Sequence, residues 1–143
     1  MDIKIKSLFV GAAAGAIVAW ISIYFLGYLA AITYPNGLFV WAGTHSALSI
    51  FTFAIRCLEL LCGVGILAAL ASYFLAKKLK DAWLYLACAF LVAQTLIAYF
   101  FVPYLSGQIF YSASYFLQYL PHLVIVSLCV FIPAYRGGNQ KNA

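Results

Sequence analysis

Residues 46–81 read SALSIFTFAIRCLELLCGVGILAALASYFLAKKLKD. From Ser46 to Ala76 the only charges are Arg56 and Glu59, and the apolar residues do not alternate with a period of two. An apolar run longer than the ~20 residues that cross a bilayer reads as a transmembrane helix. In lipid a chain must satisfy its own backbone amides, which leaves helices or a closed barrel, and the absence of alternation removes the barrel. Lys77, Lys78, Lys80 and Asp81 then form a charged turn that ends the segment.

The flanking sequence repeats this pattern. The predicted spans are residues 7–32, 46–76, 82–102 and 111–135, followed by a polar tail at 136–143. Thr33-Tyr-Pro-Asn-Gly37 and Pro103-Tyr-Leu-Ser-Gly107 are the outer breaks, and Leu38 to Gly43 is an apolar linker. The start, Asp2-Ile-Lys-Ile-Lys6 with Ala12-Ala13-Ala14 downstream, resembles a signal peptide. Its apolar run continues to Ile32, however, so a retained first span is expected. The composition agrees: 67% hydrophobic and 8% charged, against roughly 45–50% and about 25% in a soluble domain. The expected fold is an all-α integral membrane bundle of four transmembrane helices forming a single membrane domain.

Basic residues orient it. Lys4 and Lys6 precede span one, Lys77, Lys78 and Lys80 lie between spans two and three, and Arg136 and Lys141 follow span four. The other two loops carry no Lys or Arg. This segregation predicts both ends on the cytoplasmic side, in a bacterial inner membrane. The net charge of +5 is thereby assigned to topology and not to nucleic acid. Trp83, Tyr73, Tyr85 and Tyr135 mark the inner interface; Tyr28, Trp41, Tyr99 and Tyr104 mark the outer one.

Small residues predict where helices meet. Gly11, Gly15 and Ala19 form one side of span one, and Gly65 and Ala69 one side of span two. Such strips let backbones approach closely, within the chain or between copies. With small residues on one side and Arg56 and Glu59 on the other, span two is expected at the centre. Cys57, Cys62, Cys88 and Cys129 have no metal or redox spacing and read as packing residues.

Arg56 and Glu59, three apart on one helix, are either a neutralised pair or a binding site; an intramembrane charge costs roughly 2.5–3.5 kcal/mol on insertion scales. At ~1.5 Å per residue, Glu59 lies about 26 Å and Arg56 about 30 Å above the inner boundary, while Gln94 and His122 come out at about 18–20 Å. Tyr111, Tyr115, Gln118 and His122 recur at helical spacing, a polar-tipped stripe facing protein or a wet cavity. His45 and His122 differ in depth, which argues against a bis-histidine haem. No metalloprotease, phosphate-loop or serine-hydrolase motif occurs, so no catalytic residue, metal or cofactor is assigned.

In length and span count the chain is similar to several small four-span families: multidrug carriers, polyprenyl-lipid flippase-like proteins, colicin immunity proteins and plasmid exclusion proteins. No shared motif accompanies that likeness, so no residue role is carried over. The leading expectation is a small carrier or lipid/anion-binding protein with a polar cavity in the outer half of the bilayer, built from Arg56, Glu59, Gln94, Gln118, His122, Tyr111 and Tyr115. The alternative is a non-transporting accessory subunit, or an immunity- or exclusion-type factor. The expected partners are the bilayer and either further copies of the chain or a larger membrane protein.

Overall fold

A computed structural model describes residues 2–30, 35–101 and 113–139, apart from the side chains of 26–30 and 113–119. All of its regular structure is helical. Helix α1 is Ile3–Ala30, α2 Asn36–Thr44, α3 Leu48–Leu60, α4 Ile66–Leu79, α5 Trp83–Leu96 and α6 Ala113–Asn139. A π-helical turn, Leu61–Gly65, joins α3 to α4, and another, Ile97–Phe101, extends α5. Three helical runs are long and apolar enough to cross a membrane: Ile3–Phe25, Leu48–Phe101 and Leu120–Asn139. The second folds back on itself at the 3-10 turn Lys80–Ala82, where Lys80 adopts φ 35°. Four long helical rods result.

The rods associate chiefly as α1 with α5 and α4 with α6. Buried positions recur mostly every four residues: Val64, Ala68, Ser72 and Ala76 on the second rod, and His122, Val126, Val130 and Ala134 on α6. Most of these are small or β-branched, which lets the helix backbones approach closely. Phe90 is the largest fully buried side chain, in one cluster with Val18, Val64 and Val126.

Glycine decides how closely each pair approaches. A methyl group on Gly11 would collide with the Leu86 carbonyl, and one on Gly15 with the Phe90 carbonyl. The Gly11/Gly15 strip is therefore filled by α5 of the same chain; Ala19 is buried farther along it. Gly65 serves α4–α6 packing, since a Cβ there would stand 3.0 Å from Cys129 Sγ. Ala69 is half-buried, and the Ser72 hydroxyl donates to the Ala69 carbonyl at 3.1 Å.

Several boundaries differ from the sequence reading. Leu38–Gly43 is no linker but lies in α2, which ends in a Schellman turn: Ala47 N–H donates to Ala42 O at 2.8 Å and Ser46 N–H to Gly43 O at 3.2 Å. Ser46 takes the left-handed position, φ 54°, usually given to glycine. The tail expected from Arg136 is still helical to Asn139. Gly137 and Gly138 do not stop α6 because they pack: a Cβ on Gly137 would lie 2.5 Å from the Tyr73 carbonyl, and one on Gly138 2.6 Å from the Trp83 ring. Cys62 and Cys88 are exposed, so the packing role expected of all four thiols fits only the half-buried Cys57 and Cys129.

These contacts gather one end of the bundle. Lys4 Nζ lies 5.6 Å from the centroid of the Tyr85 ring, and Trp83 packs edge-on against Tyr135 at 5.5 Å. The start of α1, the α4–α5 turn and the end of α6 therefore share one end, which carries Lys4, Lys6, Lys77, Lys78, Lys80 and Arg136.

Candidate functional site

Gln94 and His122 meet. Gln94 Nε2 stands 3.3 Å from His122 Nε2 across the α5–α6 contact, with Gln94 2% and His122 8% exposed. Donation by the Gln94 amide leaves His122 Nε2 as acceptor and places the imidazole proton on Nδ1. Tyr99 closes the cluster, its ring edge-on to His122 at 5.4 Å. Assigned to the outer belt by sequence, Tyr99 is buried. It lies within the Ile97–Phe101 π turn, whose wider winding shifts side chains off the faces that an α-helical count predicts. The unbroken apolar sequence there gives no local sign of that change.

Of the other buried polar side chains, Ser72 also reaches across to α6, its hydroxyl donating to the Cys129 carbonyl at 3.4 Å, whereas two serines of α1 bond locally. Ser7 donates to Ile3 O at 2.9 Å and Ser22 to Val18 O at 2.6 Å. Among the described residues no buried side-chain nitrogen or oxygen lacks a hydrogen-bond partner. Interhelical hydrogen bonds in membranes average about 0.6 kcal/mol. Gln94–His122 accordingly sets register and orientation more than it adds stability. Pro121 precedes His122 inside α6, which continues through both Pro121 and Pro133.

Arg56 stands apart from this cluster. It is exposed and Glu59 half-buried, both on α3, a helix with no buried residue. The expected central position of span two thus holds for α4, at the lysine-rich end, and fails for α3. The separation follows from rise: Arg56 is about 10 Å farther from the lysine-rich end than His122. Of the remaining candidates, Tyr111 falls outside the described residues. Tyr115 and Gln118 lie on α6, but their side chains are likewise outside them.

His45 lies at the α2–α3 junction, with Nδ1 2.8 Å from Trp41 O and its ring 4.8 Å from the Trp41 ring. Among the described residues no group of three His, Cys, Asp or Glu could hold a metal ion. Two grooves are formed among the described residues. One, of about 590 Å³, lies between α1 and α5; the other, of about 280 Å³, lies between α5 and α6 near Thr95 and Ser127. Arg56, Glu59, Gln94 and His122 line neither.

No protein-family model matches the chain, and no curated protein or solved structure is detectably similar to it.

Proposed function

We propose that the chain is a four-span integral membrane protein with both ends cytoplasmic, in a bacterial inner membrane, and that it is a small carrier or lipid/anion-binding protein whose anionic ligand meets Arg56 in the outer half of the bilayer. Insertion is supported by an exterior on which large apolar side chains stand open, such as Ile50 at 74% and Phe9 at 68% exposure. A water-facing surface of that kind would aggregate. The orientation is supported by the six described cations at one end.

The observation that carries the ligand reading is the exposed Arg56 on α3, far from the end where those six cations gather. A guanidinium at that depth attracts anions, and its planar donors suit phosphate or carboxylate. Glu59, one helical turn away, tunes the site against excess negative charge. Gln118 and Tyr115 remain candidates on α6, while Gln94 and His122 hold α5 to α6 beneath them.

Titration of the detergent-solubilised protein with dodecyl phosphate tests this reading. Charge-assisted hydrogen bonds contribute ≈ 1.5–3 kcal/mol, so Arg56→Ala should weaken binding about tenfold or more, with Arg56→Lys intermediate and thermal stability unchanged. Equal affinity in wild type and Arg56→Ala would remove Arg56 from the site.

The second reading, an accessory subunit or an immunity- or exclusion-type factor, is favoured by α3 burying no residue within its own chain. It requires stoichiometric co-purification of one larger membrane protein in mild detergent, disrupted by bulky substitutions on α3.

A further inference from the structure

The wider groove lies on the α1–α5 face and is bounded by Ile5, Leu8 and Phe9 on one side and by Cys88, Val92 and Leu96 on the other. All six are apolar or thiol side chains and all six are exposed. From Cys88 to Leu96 it runs about 12 Å along the helix, most of the depth of one leaflet of a ~30 Å hydrocarbon core. It starts at the lysine-rich end. On the α1 wheel Lys4 and Lys6 fall about a quarter turn to either side of the groove's face. Lys4 reaches across to the ring of Tyr85, one turn before Cys88 on the same face of α5.

We infer that this groove binds one acyl chain of an anionic phospholipid of the inner leaflet, its phosphate held between Lys4 and Lys6. The apolar lining offers an acyl chain dispersion contacts and offers a polar ligand nothing. The cations at its mouth supply the charge complementarity that selects an anionic headgroup over a zwitterionic one. The inference rests on membrane insertion and not on Arg56, so the two sites fail or stand separately.

Cys88 reports occupancy from inside the groove, and Cys62, exposed but outside it, serves as an internal reference. The protein in detergent is titrated with phosphatidylglycerol or phosphatidylcholine, and maleimide alkylation of each cysteine is followed by peptide mass spectrometry. Phosphatidylglycerol should slow alkylation of Cys88 relative to Cys62 at concentrations where phosphatidylcholine does not. Lys4→Gln and Lys6→Gln, both at exposed positions, should each raise the phosphatidylglycerol concentration needed by about fivefold, the effect of about 1 kcal/mol per basic residue near an anionic surface. Ala12→Trp, which fills the groove, should abolish protection, and glycerol phosphate without acyl chains should give none. Equal protection by both lipids, or protection indifferent to the two lysines, would overturn the headgroup assignment. No protection, or a Cys88–Cys88 cross-link between chains, would overturn the lipid as occupant.

Discussion

Replacing Gly15 with alanine should loosen the α1–α5 pair. An added Cβ would stand 2.9 Å from the Phe90 carbonyl carbon and 3.0 Å from its Cα, and nearer still to the oxygen. All three are backbone atoms, so no rotamer change relieves them. The helices must separate by about 1 Å, and gaps of that size forfeit a quarter to a half of the dispersion energy of the affected contacts. Overpacking of this kind costs about 1–3 kcal/mol. Alanine recovers about 0.8–1.0 kcal/mol of helix propensity. The net loss is therefore up to about 2 kcal/mol, read as a fall in melting temperature. Gly43→Ala is the control: no atom lies within 4 Å of its Cβ, so only the propensity gain remains and the protein should melt slightly higher. One outward movement of α1 also relieves Gly11 against Leu86, so the Gly11→Ala/Gly15→Ala double variant should cost less than the sum of the singles. Melting followed by size-exclusion chromatography in mild detergent reads the three single variants and the double variant against wild type, and fluorescence energy transfer between labelled chains reads self-association. If Gly15→Ala melts like Gly43→Ala, or lowers self-association while leaving the melting temperature intact, the glycine strip does not serve the contact described.

A double-mutant cycle on Gln94→Leu and His122→Phe should give a coupling of about 0.6 kcal/mol and no more than about 1.7 kcal/mol; additivity within about 0.3 kcal/mol would show that the 3.3 Å contact carries no energy. Ser46→Gly should raise the melting temperature, because a non-glycine residue in the left-handed region costs roughly 1–2 kcal/mol, in part offset by the extra backbone freedom glycine loses on folding. Ser46→Val should lower it, and matching melting curves for the two would refute the Schellman assignment.

The existence of the four rods was legible in composition and local pattern. Uninterrupted apolar stretches between lysine clusters and Pro/Gly breaks leave a backbone little choice but helix, since hydrogen bonding along a helix is local and period 3.6 is read from near neighbours. The same rise per residue placed Gln94 and His122 at one depth, and these two side chains touch. Depth also kept Arg56 outside that cluster, although its chemical character had suggested membership.

What local sequence could not supply was the choice of partner. Gly11 and Gly15 predict a close approach, but whether another rod or another copy fills the strip depends on complementarity between residues some 75 positions apart, and here it is the Leu86 and Phe90 backbone. Gly137 and Gly138 carry a helix-stop signal that tertiary packing overrides, because Tyr73 and Trp83 occupy the space a side chain would need. The π turn that brings Tyr99 to His122 and the lack of any fully buried residue on α3 likewise have no local code. Helix is dictated by each segment's own hydrogen bonds and by its apolar composition, whereas the faces that meet are settled only when all the rods compete for the same small-residue surfaces.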